Sequence, residues 1–294
     1  MGVFGRIGQG WKQSDSLMRL LWINGALFVL IQLYLLIYYF LGSEPPLGQD
    51  MMLAGADNPS VLIRRPWAVV THMFAHVEFG HFLLNMIALY VCGDLFRRMI
   101  KPASLVPVYF LSGFSGFLLY FILYSLFPAL GGGHDSYILG ASAAVMGVVI
   151  AVVTYRPKMA VKLFGVFDIQ LIWLGIILIL LDLVSIRKGD NTGGHIGHLG
   201  GAIFGYFYAS RLIQGKDMTK GFARFLERIK GLFAWNRSRR VVHRNPRVKT
   251  DEEFNAEKKL RQKRVDEILD KIGRAGYDGL TKEEKDFLFK YAQK

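Results

Sequence analysis

The sequence predicts an all-α polytopic membrane protein, a bundle of six spanning helices followed by a small soluble helical region. Two observations carry that prediction. Of the 294 residues, 52% are hydrophobic and the mean hydropathy is +0.29, more apolar than a soluble chain usually is. The apolar residues are also gathered into runs near 20–41, 80–96, 103–127, 139–155, 168–186 and 195–213. Most of these approach the ~20 residues that carry a helix across the hydrocarbon core. They are continuous rather than alternating, which excludes a transmembrane barrel.

The elements follow in order. An N-terminal arm, 1–19, leads into a first run too long for a signal-peptide core, which reads as a retained helix. The second run contains the only cysteine, Cys92, so there is neither a disulfide framework nor a cysteine zinc site. The fourth and sixth runs are short and rich in small residues. Gly140, Ala141, Ala143, Ala144 and Gly147 in one, and Gly197, Gly200, Gly201 and Gly205 in the other, form faces that let helix backbones approach closely. Asn24, Gln32 and Asp182 lie in or near spans and read as interhelical hydrogen-bonding groups. Trp22, Tyr38, Tyr39 and Trp173, near span ends, read as interface anchors.

Basic residues orient the bundle. Arg6, Lys12 and Arg19 precede the first span, Arg97, Arg98 and Lys101 follow the second, and Arg156, Lys158 and Lys162 follow the fourth. The opposite side has Arg64, Arg65, Arg187 and Lys188. The asymmetry places both termini in the cytosol. The net charge of +13 flanks helices, which points to anionic lipid as the partner and not to nucleic acid.

The membrane core therefore covers 20–213. In the juxtamembrane stretch 214–250, Phe222, Phe225, Leu226, Ile229, Phe233 and Trp235 recur at helical spacing between Lys220, Arg224, Arg228 and Lys230, the pattern of an amphipathic helix on a lipid surface. A basic linker, Arg237 to Lys249 with Pro246, comes next. Residues 251–294 read as a soluble helical pair. The first helix stops at Gly276, and the second starts at a Thr281/Glu284 capping box.

With the N-terminus inside, the second, fourth and sixth spans all begin on the outer side. Their first turns hold His81 and Asn85, then Ser142, then His198, each roughly 5–10 Å below the boundary at ~1.5 Å per residue. Ionisable groups in spans are costly, so His198 is read as functional by default. His81 and Asn85 share a helix face. His195 also lies in the sixth span. Small residues at Gly201, Gly205 and Ala209 continue the face of His198, whereas the same offsets from His195 meet His198, Ala202 and Tyr206. His198 is therefore the candidate base, and His195 a rim residue that binds water or a loop carbonyl. His72 and His76 read as fixing the outer loop through backbone carbonyls. The residues alone leave two other readings open. His72, His76, His81, His195 and His198 could ligate a metal in a membrane metalloenzyme, or the bundle could be a non-catalytic scaffold for transmembrane clients.

In chain order, His72-xxx-His76-xxxx-His81-xxx-Asn85, Gly140-x-Ser142 and His198-xx-Gly201-xxx-Gly205 resemble the rhomboid intramembrane serine proteases, prokaryotic type, across 20–213. The tract Pro66-Trp67-Ala68 resembles the family's tryptophan-arginine motif. The resemblance implies a rhomboid-like bundle in a bacterial plasma membrane that cleaves single-pass transmembrane substrates near the outer surface. It implies a Ser142–His198 dyad without a carboxylate and without cofactor or metal. His81, Asn85 and the Ser142 N–H would hold the oxyanion, and Gly140, Gly201, Gly205 and Met146 would supply the supporting packing. This sequence departs from the family at Ala68, where arginine is usual (Arg64 and Arg65 being nearby substitutes), at Ala143, where glycine is frequent, and at Met146. The last replaces an aromatic that stacks on the histidine, and its side chain is expected to pack on the imidazole edge.

Overall fold

The computed structural model describes residues 15–43, 52–131, 135–163, 167–189, 191–233, 251–276 and 279–292. Helix α1 (Ser16–Phe40) leads into a loop with strand β1 (Gly55–Ala56) and short helices α2 (Pro59–Arg64) and α3 (Ala68–Thr71). Then come α4 (Phe79–Met99), α5 (Leu105–Leu126), strand β2 (Tyr137–Ile138) and α6 (Ser142–Tyr155). A β3 (Ala160–Leu163)–β4 (Phe167–Gln170) pair precedes α7 (Leu171–Lys188) and α8 (Thr192–Ile213). Each apolar run thus becomes one helix of an all-α membrane bundle. By length and composition, α1, α4 and the Pro102–Leu126 segment containing α5 can cross a membrane, while α6 is apolar but shorter. Asp182, Arg187 and Lys188 dilute α7, and glycine and histidine dilute α8.

Two boundaries differ from the sequence expectation, each for a local reason. Helix α1 begins four residues early because Asp15 caps it, accepting the Met18 N–H at 3.0 Å, and Arg97 of α4 pairs with that carboxylate. Arg6 and Lys12 of the arm lie outside the described residues. The fifth run loses its start to the antiparallel pair, which sets Val161 opposite Ile169 and Lys162 opposite Asp168. This two-residue alternation of apolar and charged positions suits a strand, not a helix.

The core is built around α6, where every residue from Ala143 to Val153 is buried. A helix apolar all round must be surrounded, and α4, α5, α7 and α8 do so. The tightest approach is to α8. A Cβ at Gly201 would collide with the Ala143 carbonyl, and one at Gly205 with the Gly147 carbonyl. Polar groups between elements are paired as expected. The Asn24 amide donates to Tyr109 Oη (3.3 Å) and Gln32 to the Val77 carbonyl (2.7 Å). Leu30, Leu33 and Ile37 of α1, Leu84 of α4 and Leu180, Leu181 and Val184 of α7 are exposed, as a lipid-facing surface requires. Trp22, Tyr39 and Trp173 are exposed with them.

The chain divides into two compact units, Met1–Leu232 and Phe233–Lys294. Helix α9 (Lys220–Phe233) closes the first, with Phe222 against Phe110 and Phe225. Trp235 and the linker Arg237–Lys249 lie outside the described residues. In the second unit, α10 (Asp251–Ala275) ends at Gly276, whose φ of +72° favours glycine, and α11 (Lys282–Ala292) follows. Its start is a capping box in which Thr281 N–H donates to Glu284 at 2.7 Å and Glu284 N–H donates to Thr281 Oγ1 at 3.3 Å. Lys271 also reaches Glu284 at 2.9 Å, and Val265, Ile268 and Leu280 are buried.

Candidate active site

Ser142 is the first residue of α6. The free N–H groups of that first turn and the positive end of the helix dipole favour negative charge there. Helix α6 has 14 residues, or about 21 Å at 1.5 Å per residue, against about 30 Å of hydrocarbon core. A straight α6 is therefore too short to reach from one interface to the other.

The first loop fixes the approach to Ser142. Strand β1 pairs with β2, setting Gly55 opposite Ile138. Gly140 N–H donates to the His72 carbonyl at 2.8 Å, and Ala141 N–H donates to His76 Nε2 at 3.1 Å. His76 thus carries its proton on Nδ1, which lies 3.4 Å from the Phe74 carbonyl, while His72 Nδ1 lies 2.9 Å from the Ala68 carbonyl. Burial pushes both imidazoles down to about 4, with the neighbouring His81 adding to the effect at His76. Both stay neutral at physiological pH, which preserves the His76 lone pair that the Ala141 N–H needs. Trp67 anchors the same loop by donating to the Met52 carbonyl at 2.7 Å. Asp135, two residues before β2, accepts from Asn58 at 3.0 Å.

Gly140 has φ +120°, which only glycine adopts readily. A Cβ there would stand 2.8 Å from His81 Cε1 and 3.7 Å from Ser142 Oγ. The His81 ring and the Ser142 hydroxyl therefore border one small space above Gly140. Asn85, buried one turn further along α4, donates one N–H to the His81 carbonyl at 2.9 Å and has a second N–H to offer.

His198 enters from α8. Gly197 and Gly201, on either side of it, both pack on Ala143, so the helix face bearing His198 adjoins the start of α6. The expected absence of a carboxylate is corrected here. His198 Nδ1 lies 2.8 Å from Oδ1 of Asp182 on α7, and His195 Nδ1 lies 2.7 Å from the same oxygen. Asp182 does bond between helices, but its partners are the two histidines. His195 meets a carboxylate, not the water or loop carbonyl expected of it. The two rings stand edge to face, 5.6 Å apart. Met146 does not take the ring-orienting place. It sits in an apolar cluster with Ile150 and Ala202, against Leu178 and Ile179, and His198 is held by Asp182 instead. An imidazole whose Nδ1–H is fixed on a carboxylate presents Nε2 as a base. In His198 that Nε2 is buried without a hydrogen-bond partner among the described residues.

The candidate residues thus fall into two adjoining groups, His81–Asn85–Gly140–Ser142 and Asp182–His195–His198. Of the histidines of the metal reading, His72 and His76 are committed to the loop, and His195 and His198 alone converge on a carboxylate, that of Asp182. Sequence reasoning misses Asp182 as a partner of the base and His76 as an acceptor. Asp182 carries a signal, because a carboxylate inside a span is as costly as the histidine read as functional.

Residues 64–215 match the family model described as the Rhomboid domain. Residues 249–294 match a family of unknown function, DUF6576. Similar proteins include RHOMBOID-like protein 12, mitochondrial, of Arabidopsis thaliana, 25% identical over 71% of this chain and 61% of that protein. Rhomboid protease GluP of Bacillus subtilis is 23% identical over 63% of this chain and 34% of its own length. Presenilin-associated rhomboid-like protein A, mitochondrial, of Danio rerio is 30% identical over 48% and 36%. The chain spans less than two thirds of each of these relatives. With the matched domain covering more than half of the sequence and containing Ser142, Asp182 and His198, the chain belongs to the rhomboid family.

Proposed function

We propose that this protein is an intramembrane serine endopeptidase. The observation that supports the reading is an oriented imidazole on the α8 face that packs against Ala143, the residue after the helix-start serine. His198 has Nδ1 fixed on buried Asp182 and Nε2 unpartnered among the described residues. His198 Nε2 takes the Ser142 Oγ proton as the oxygen attacks the scissile carbonyl, then returns it to the leaving amine. Asp182 holds the tautomer and stabilises the imidazolium. His81, the second Asn85 N–H and the Ser142 N–H receive the oxyanion, where one preorganised donor is worth ~3–4 kcal/mol. The reaction requires no cofactor.

The substrates are single-pass transmembrane proteins. A spanning helix has no free carbonyls, so cleavage requires local unwinding, and helix-destabilising segments with small residues at the cut are preferred. The setting is a bacterial plasma membrane with both termini cytosolic, the site near the outer surface and α9 on anionic lipid. A fluorophosphonate probe tests the base assignment. Mass spectrometry of purified protein is expected to find the adduct on Ser142. Labelling is lost in His198→Ala and retained in His195→Gln. The opposite ranking of the two variants overturns the assignment.

A further inference from the structure

Asp182, His195 and His198 each bring one possible ligand atom within 4.8 Å of the others, and both histidine Nδ1 atoms lie against Asp182 Oδ1. We propose that these three residues form a binding site for a zinc-type divalent cation whose occupancy switches the protease off, an inference that rests on the reading of His198 as the base. His195 and His198 stand three apart on α8 and converge on a residue of the neighbouring helix. Two imidazole nitrogens and a carboxylate oxygen are a common zinc donor set. Asp182 is 5% exposed, and its second oxygen, Oδ2, is buried with no hydrogen-bond partner among the described residues. That is a costly state for a lone carboxylate oxygen, and a cation relieves it. The His195 and His198 side chains are 22% and 18% exposed, so an ion can enter along α8 and keep a water as its fourth ligand. Tetrahedral zinc with bonds of ~2.0–2.1 Å holds its ligands about 3.3 Å apart. The 2.7 and 2.8 Å contacts must open by about half an ångström, within the reach of small side-chain rotations.

Inhibition follows from the tautomer. Without metal, both Nδ1–H groups donate to Asp182, which leaves the His198 Nε2 lone pair as the base. Metal takes the Nδ1 lone pairs, and each neutral imidazole then carries its proton on Nε2. His198 presents an N–H to Ser142 and cannot accept a proton. The ring remains neutral and no proton is released, so removing the metal restores the base.

The test uses full-length protein without a polyhistidine tag, in detergent and stripped with chelator. Zn²⁺ is titrated calorimetrically into Ser142→Ala and into Ser142→Ala/His195→Gln. The glutamine introduced by His195→Gln keeps an amide N–H for Asp182 but ligates poorly. The expected result is one Zn²⁺ per chain in the first, weakened at least roughly 100-fold in the second, since loss of mere supporting groups around metals already costs 10–100-fold. In parallel, wild-type cleavage of a model transmembrane substrate should fall over the same Zn²⁺ range and recover with chelator. It should ignore Mg²⁺, and His195→Gln should resist the zinc. Absence of Zn²⁺ binding to Ser142→Ala, equal binding by the double variant, or equal zinc inhibition of His195→Gln overturns the proposal. Should wild type not cleave at all, the protease reading fails while the calorimetric pair still decides the site.

Discussion

At the scale of single residues, Asp182 adds a third group to the proposed pair, one that holds the His198 imidazole without taking its proton. Its carboxylate fixes which nitrogen of His198 is protonated, so Asp182→Asn keeps the volume but removes the charge that stabilises the imidazolium. Turnover should fall roughly 10²–10⁴-fold with KM nearly unchanged, because Asp182 does not reach substrate. Steady-state kinetics on a transmembrane substrate would check this, and unchanged kcat would reduce Asp182 to a packing residue. The residues proposed to bond directly to a developing charge can be picked out in the sequence, because Ser142, His81, Asn85 and His198 sit at the starts of three separate spans. The residues that orient them are not. Asp182 lies eleven residues into its helix, and only the packing of α7 on α8 reveals what it faces. Met146 departs from expectation for the same reason, since helical spacing gives a face but not the neighbour that covers it.

At the scale of elements, the contact between α6 and α8 sets the site, and glycines make it possible. Gly201→Val would drive its side chain into the Ala143 carbonyl, forcing the helices apart. Overpacking of this kind costs about 1–3 kcal/mol or more, and activity should be lost with it. Gly221→Ala in α9 meets nothing within 4 Å and should stabilise by about 0.5–1 kcal/mol with activity intact. Thermal melting in detergent separates the two, and a tolerated Gly201→Val would refute the close approach. The loop carrying His72 and His76 gives a pH signature. Both titrate near 6.5 when unfolded and at about 4 when folded, so the unfolded chain binds more protons between those values. Their contribution is complete above about 6.5 and drains as pH falls towards 4, by at most about 3 kcal/mol each. The melting temperature should fall across that window. His72→Phe, which keeps a ring against Phe117, should fall less steeply, and parallel curves for the two would contradict the assignment. Small-residue faces make the helix pairing readable from sequence. The β1–β2 pairing is not, because strands of two residues leave no period to read.

For the whole molecule, composition and hydropathy determine the class of fold, since lipid permits few solutions to backbone hydrogen bonding. The six runs become six helices in order. What stays hidden is depth. The short α6 is buried among its neighbouring helices, and hydropathy alone does not say how far below the surface its serine would start. The central claim is that this bundle exists to bring water, a serine and a base to a peptide bond inside a membrane. The most direct measurement is cleavage of a model single-pass substrate by purified protein in detergent, comparing wild type with Ser142→Ala. Wild type should release two fragments, and Ser142→Ala should release none while melting at nearly the same temperature, because alanine suits the packed start of α6. Appreciable cleavage by pure, folded Ser142→Ala would contradict the account.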